Sequence, residues 1–436
     1  MQTRIVQALG LIFCAVMAAT PALGQNQSEN HRHFFANSAT FVYVQTQDGV
    51  QSFQVSATGS LTMVPGSPFK TEGDVIGSNG SYLVSLDGTV LRSYPIQANG
   101  ALGSLASSTD TAAYSGGGCG YAAAAKLDPT GNYVEVLYDP TIYVSSPCTG
   151  YQTFALLKTS GAFTFLGNAV VSTDIGAVLD PLTMTHDSKF SYALNIPPDP
   201  EPDQVVYAGF TRDSAGALAN LNFAESDPQP QEPWEYFAWL VEADSTNHLA
   251  IALGQLEYYG SPLVTVGPTQ LASYTIDASG NIATSNTWQQ MPVPEVGPTL
   301  LRISPGGDLL AVAGNECPWC QISVDIAQDG LQLFHFNGAD PITSFTGSLT
   351  SDPIDEMEWD GNNHLFAVSN SAGKLYVFTA TATGVSPAPG SPYAIANPSG
   401  NSPNGLVVTT GQTCTTKGKS CQARSIHPAG DPNQDR

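Results

Sequence analysis

The sequence predicts an all-β chain: a seven-bladed β-propeller of four-stranded antiparallel blades, closed by a C-terminal innermost strand. Three observations predict it. A short apolar run in extended pattern returns seven times, at Phe41–Val44, Tyr82–Val84, Tyr133–Val136, Phe190–Leu194, Leu249–Leu253, Leu309–Ala313 and Leu365–Val368. The copies stand about 40 to 60 residues apart, the spacing of propeller blades. Among 436 residues there are 42 Gly and 31 Pro, and apolar spacing at i, i+3, i+4, i+7 is not sustained anywhere after the first twenty positions. Turns are therefore abundant and long amphipathic helices are not expected.

Each apolar run is the second strand of a blade. Before it comes another extended run and a tight turn, as in Leu300–Asp308, Ala125–Asn132, Val241–Asn247 and Met357–Asn363. Asp or Ser, Pro, and Gly or Asn at these offsets favour a turn between two antiparallel strands. After it come a third strand, an Asx/Gly turn and a fourth strand. Leu271–Ile282 is the clearest copy, and Ser52–Leu61, Leu91–Leu102 and Val206–Leu218 match it; Leu331–Phe336 and Leu375–Phe378 supply further third strands. Alternation places side chains on both faces of each sheet, and both faces of an internal blade pack on neighbours. Pro95 breaks the pattern, because it removes a ladder hydrogen bond from a strand expected to be interior. The first copy lacks a preceding strand, while a spare one stands at Asn404–Thr409. The C-terminal strand is thus expected to complete the first blade from inside and to remove free edges. The competing arrangement is a pair of sandwiches made from the same hairpins.

The ends read differently. Arg4, the apolar stretch Ile5–Thr20 and the small residues of Pro21–Gly24 form a secretory signal pattern over 1–24. A membrane anchor is the alternative; lipidation at Cys14 is disfavoured by the bulky Phe13 before it. Residues 25–38 and 411–436 are polar flanking segments, which leaves 39–410 for the propeller. The expected location is secreted or periplasmic. Insertions at Thr111–Tyr121, Pro197–Gln204 and Pro228–Trp234 are expected to rise on a binding face.

The formal net charge is −23, with 14 Lys plus Arg against 37 Asp plus Glu. Such a chain repels phosphate backbones, so nucleic acid is not an expected partner. Nor is a membrane once the signal is removed. The expected partners are a small molecule (a sugar or lactone) or a protein ligand, and the expected state is a monomer. Cys119, Cys148, Cys317, Cys320, Cys414 and Cys421 are disulfide candidates in an exported chain. Sequence order suggests pairing each with its neighbour, one of several pairings available. The Cys317–Cys320 pair has the spacing of a redox motif, yet lies between strand patterns rather than at a helix start, and reads as a loop staple. The wider Cys414/Cys421 spacing argues against a four-thiolate zinc site.

The Tyr/Phe-x-x-Val run, the aromatic-containing strand and the Asp-x-x-Gly-x-Leu turn together resemble the lactonase-type, 6-phosphogluconolactonase-like propellers. The Pro65–Phe69 and Pro389–Tyr393 elements resemble those of exported bacterial members. The resemblance covers about 41 to 409 and implies a seven-bladed ring and lactone hydrolysis. By that resemblance, active members often carry a His-rich lead-in to an innermost strand, of the form His-Pro-His. The corresponding lead-ins here, at Gly120, Trp234, Gly297 and Asp355, contain no His. A phosphorylated lactone would also call for clustered Arg or Lys. No catalytic set is carried over. The reading is a ligand- or protein-binding module on a lactonase-like scaffold, with lactone hydrolysis as the alternative.

Candidate binding residues follow from position. Asp355, Glu356 and Glu358, with Trp359, form the densest acidic cluster, at an innermost strand. Like charges facing a channel raise a carboxylate pKa or seat a divalent cation; solvated turn acids around a packing Trp are the plainer explanation. Trp234, Glu235, Tyr236 and Trp239, followed by Glu242 and Asp244, set aromatics beside carboxylates, which suits a sugar; core packing of the same rings is the plainer role. Arg302 is a lone cation on an innermost strand, suited to an anion or a structural ion pair. His186, His248 and His364 fall at turns, which explains them without a metal. A nucleophile elbow, a phosphate-binding Gly loop and a dinucleotide fingerprint are all missing from the sequence, so no organic cofactor is expected.

Overall fold

The computed structural model describes residues 39–114, 122–138, 149–172, 178–179, 182–196, 206–228, 235–257, 264–315, 329–396 and 405–410. All the cysteines, Trp234 and most of the three insertions lie outside these residues.

Strands follow one another blade by blade. Blade 1 begins with β1 (Thr40–Thr46), β2 (Gly49–Val55) and β3 (Leu61–Met63). Blade 2 holds β4 (Asp74–Ser78), β5 (Tyr82–Asp87), β6 (Val90–Pro95) and β7 (Ser107–Asp110), and a single 3-10 turn follows at Thr111–Tyr114. Blade 3 holds β8 (Ala122–Leu127), β9 (Tyr133–Tyr138), β10 (Thr149–Leu156) and β11 (Phe163–Ser172). In blade 4 the innermost position is split between β12 (Val178–Leu179) and β13 (Thr183–Met184), before β14 (Phe190–Ile196), β15 (Val206–Arg212) and β16 (Leu218–Leu221). Blade 5 holds β17 (Glu225–Ser226), β18 (Glu235–Ala243), β19 (His248–Glu257), β20 (Val264–Ile276) and β21 (Ile282–Ala283). Blade 6 holds β22 (Leu300–Ile303), β23 (Leu309–Gly314), β24 (Gly330–Asn337) and β25 (Asp340–Ser344). Blade 7 holds β26 (Glu356–Trp359), β27 (His364–Ser369), β28 (Lys374–Thr381), β29 (Gly384–Pro387) and β30 (Tyr393–Ala394). The last strand, β31 (Leu406–Thr410), returns to blade 1 and pairs with β1.

The expected closure is therefore present: Thr40 lies opposite Thr410 and Val44 opposite Leu406. The innermost strands adjoin around the ring, β31 beside β4, β4 beside β8, β13 beside β18, β18 beside β22, β22 beside β26, and β26 beside β31. Blades 3 and 4 meet through β11 and β16. Two departures from a plain four-stranded unit occur. The short β17 adds to the outside of blade 5 as a parallel partner of β21. In blade 7, β30 pairs with β28 alongside β29. Pro95, with no N–H to give, falls where its strand ends. It is the last residue of β6, and the pairing resumes at once with Ile96 donating to the Ser81 carbonyl at 2.8 Å.

Burial explains the ring. Successive residues of a strand point to opposite faces, so each second strand feeds two junctions. Phe41 and Tyr43 pack against blade 2, while Val42 and Val44 pack against blade 7. Leu309 and Ala311 face blade 7, while Leu310 and Val312 face blade 5. Seven apolar clusters result among the described residues, one at each junction.

A second device joins the blades. The outer hairpin turn of one blade rests on the ring that opens the second strand of the preceding blade. Gly100 lies on Phe41, Gly161 on Tyr82, Gly216 on Tyr133, Gly280 on Phe190, Gly338 on His248 and Gly59 on His364. Gly280 illustrates the requirement: its φ is +87°, and a Cβ there would fall 2.9 Å from the Phe190 ring and 2.5 Å from Leu221. Only glycine suits both the left-handed backbone and the gap. The Tyr192 hydroxyl donates to the Gly280 carbonyl at 2.8 Å, and Tyr43 does the same to Gly100 at 3.0 Å.

The two Pro-Gly-Ser-Pro elements are equivalent. Ser67 and Ser391 precede cis prolines. Their hydroxyls accept the N–H of Ser52 and of Val377, each at 2.9 Å. They tie the returning chain to the third strands of blades 1 and 7.

Candidate functional site

Five of the innermost strands end at a pinned turn residue. Asp128 Oδ1 accepts the N–H groups of Asn132 and Tyr133 at 2.8 and 2.7 Å. Asp244 Oδ1 accepts those of Thr246 and His248 at 2.7 and 3.0 Å, and Asp360 Oδ1 those of Asn362 and His364 at 2.8 and 2.9 Å. Thr185 and Ser304 do the same with a hydroxyl, accepting Phe190 N–H and Leu309 N–H at 3.1 Å each. Short polar side chains are suited to this because they satisfy the turn amides locally.

Two residues before these turn residues the strands carry Lys126, Thr183, Glu242, Arg302 and Glu358. Their cross-strand partners, Glu135, Tyr192, Ala250, Ala311 and Phe366, place all five at one level of the ring. Glu356 stands on the same face of β26 as Glu358, since strands alternate with period two.

These side chains converge on the ring centre. Arg302 Nη1 lies 3.8 Å from Glu242 Oε2, Nη2 lies 3.9 Å from Glu356 Oε2, and Nε lies 4.0 Å from Glu358 Oε2. Arg302 Nη1 also donates to the Leu301 carbonyl at 2.8 Å. The Arg302 carbonyl accepts the Trp359 indole N–H at 3.2 Å, which ties β22 to β26. Thr183 Oγ1 donates to Glu242 at 3.3 Å and accepts the Ala243 N–H at 2.8 Å. Lys126 comes from blade 3, yet it feels Glu242 of blade 5, Arg302 of blade 6, and Glu356 and Glu358 of blade 7. Glu242, Arg302, Glu356 and Glu358 of blades 5, 6 and 7 therefore meet in one cluster, within the electrostatic reach of Lys126 of blade 3.

Burial governs its electrostatics. Enclosure pushes the Glu356 carboxyl up to about 7, against the pull of Arg302. It raises Glu358 in the same way and lowers the Lys126 ammonium. The Glu356 and Glu358 side chains are nonetheless 21% and 41% accessible. Desolvation by the surrounding protein still outweighs what solvent reaches them. A site of this kind offers cationic donors to a carbonyl or hydroxyl, and a carboxyl that exchanges its proton near neutrality.

Of the residues singled out from the sequence, Arg302, Glu356 and Glu358 come together. Asp355 does not join them: it accepts the Asn370 N–H at 2.7 Å and the Asn315 side-chain amide at 2.8 Å, fastening blade 6 to blade 7. Glu235 is exposed at the start of β18, at the opposite end of the strand from Glu242. Tyr236 donates to Gln270 at 2.7 Å, and Gln270 in turn holds the carbonyls of Trp288 and Met291. It supports a loop of blade 5 rather than the cluster. Trp239 packs edge-on against Phe237. His248 and His364 pair through Nδ1 with Asp244 and Asp360 at 3.0 and 2.8 Å and form turn structure. Among the described residues, no group of three or more His, Cys, Asp or Glu is placed to hold a metal ion. The Arg302 guanidinium stands between the three carboxylates that the cluster offers. Lys126 and Thr183 escaped the sequence reading. Their signal was the shared offset from the turn residue, already visible once Arg302 and Glu358 are aligned.

The fold matches solved structures over most of its length. A provisionally assigned 6-phosphogluconolactonase from Bacteroides fragilis superposes with a TM-score of 0.50 at 13% identity, covering 86% of this chain and 98% of that one. Another from Bacteroides uniformis gives 0.51 at 12% identity, covering 83% and 98%. The periplasmic gluconolactonase PpgL of Pseudomonas aeruginosa gives 0.50 at 12% identity, covering 85% and 99%. At such identity the likeness establishes the seven-bladed propeller and leaves chemistry to the residues. No protein-family model and no curated protein matches the chain. Among the described residues, no helix is long and apolar enough to cross a membrane.

Proposed function

We propose that this chain is an exported propeller that binds a small polyhydroxylated molecule in its central channel. One observation carries the reading: Glu242, Arg302, Glu356 and Glu358 gather from three blades, within the electrostatic reach of Lys126 from a fourth. Charged groups gathered away from bulk water are costly. Hydroxyl groups of a sugar ring match both the donors and the acceptors of such a cluster. Titration calorimetry with a panel of sugars and sugar lactones tests it. Binding is expected for at least one ring-form ligand, and Arg302→Met is expected to abolish it. A panel with no binder, or a binder indifferent to Arg302→Met, removes the reading. Export is supported by the signal pattern over 1–24, and a mature protein beginning at Gln25 is the expected result of N-terminal sequencing.

Lactone hydrolysis is the second reading, and Glu356 beside Arg302 favours it. With its carboxyl near 7, Glu356 is suited to take a proton from water attacking a lactone carbonyl. Arg302 is suited to hold the oxyanion. The ring C–O bond then breaks, and the proton on Glu356 passes to the departing alkoxide. Acid release from a lactone panel in a pH-stat, lost in Glu356→Gln, is the expected result; spontaneous rates throughout would refute it.

A further inference from the structure

We infer that the channel selects uncharged ligands and rejects phosphorylated or carboxylated ones. The inference rests on the channel being the binding site and narrows what that site accepts. Two cations, Lys126 and Arg302, stand against Glu242, Glu356 and Glu358, so the fully ionised cluster has a formal charge of −1 before any ligand enters. Three nitrogens of Arg302 each face a different carboxylate, at 3.8, 3.9 and 4.0 Å. A phosphate approaching Arg302 must displace these groups and then lie among them.

Among the described residues, five further basic side chains are engaged elsewhere. Arg92 is held by Glu72 and Asp87 at 2.7 and 3.1 Å. Arg212 is held by Glu135 at 2.8 Å, and Lys374 by Asp352 at 2.7 Å. Lys158 donates to the Thr130 carbonyl at 3.0 Å, and Lys189 lies over the Phe190 ring. With 14 basic residues against 37 acidic ones, the long-range field also repels an arriving anion. A neutral ring with several hydroxyls meets neither barrier. The same field ejects a carboxylate, so an aldonate formed by opening a neutral lactone would leave readily.

The test compares three probes on the full chain by calorimetry at pH 8.5, above the raised Glu356 value: gluconolactam, which does not hydrolyse, its 6-phosphate, and gluconate. Gluconolactam is expected to bind, with each anion weaker by about tenfold or more, as one unit of charge at a few ångströms implies in a partly enclosed site. The double variant Glu242→Gln, Glu358→Gln is expected to shrink that difference, with far-ultraviolet circular dichroism and the melting midpoint checking that it folds. Phosphate or carboxylate binding equal to or tighter than that of the neutral ring overturns the inference and leaves the channel as the site. An unchanged difference in the double variant also overturns it, because charge would not be the cause. Binding of none of the probes, with the wider sugar panel equally silent, removes the site and the inference together.

Discussion

Glu356→Gln is expected to stabilise the protein at alkaline pH and to leave it unchanged in acid. The carboxyl is raised from 4.5 to about 7 in the native state, because its enclosure outweighs the attraction of Arg302. The unfolded chain releases this proton near 4.5, while the folded chain keeps it to about 7. Stability from this group is therefore complete below about pH 4.5 and is lost as pH rises to 7 and beyond. A shift of this size corresponds to about 3 kcal/mol. The side chain is only 21% accessible, so water screens little of that. Glutamine keeps the shape of the protonated acid and cannot ionise. Urea denaturation of parent and variant at pH 4.5 and pH 8 measures the effect as a difference, which cancels the other titrating carboxylates. The variant should exceed its parent by about 3 kcal/mol at pH 8 and by nearly nothing at pH 4.5. An equal difference at both values would show that Glu356 ionises freely and that the channel is well hydrated.

Three further outcomes are expected. Gly280→Ala should cost about 2 kcal/mol or more in chemical denaturation, through its positive φ and the collision with Phe190 and Leu221; a neutral result would mean that the blade 4–5 contact yields. Arg212→Met leaves Glu135 buried without its partner at 2.8 Å, and should cost about 3 to 5 kcal/mol at pH 8. Because Glu135 is itself raised to about 7 by burial, the loss should shrink at pH 5, and a pH-independent loss would point to packing alone. His364→Leu removes the buried partner of Asp360 and should lower the melting midpoint more than His364→Asn, which keeps a donor; equal effects would deny the hydrogen bond its role.

The architecture was legible because it depends on alternation. Runs such as Leu249–Leu253 bury both faces, which a repeat with neighbours on either side requires, and the spare strand near Asn404 declared the closure. The third strand of blade 3, Thr149–Leu156, was harder to see. Gly150 and polar residues interrupt its apolar pattern, yet Tyr151, Gln152, Thr153 and Phe154 are all buried by neighbouring blades. The site was legible in part. Arg302, Glu356 and Glu358 stood out as charge on strands that ought to be inside. Lys126 did not, since a single lysine before a turn is ordinarily a solvated one; only the register shared across blades sends it to the centre. Tyr236 was misleading for the opposite reason: an aromatic beside a carboxylate suggests a sugar platform, but its hydroxyl is needed to satisfy Gln270.

Pairing Thr40 with Thr410 has a consequence for how the molecule is made and cut. The first hairpin to leave the ribosome waits for the last strand, so no partial product encloses a channel. Contacts of such sequence separation form late and slowly. A chain ending before Leu406 would expose the backbone edge of β1, and is expected to associate through that edge rather than remain a smaller ring.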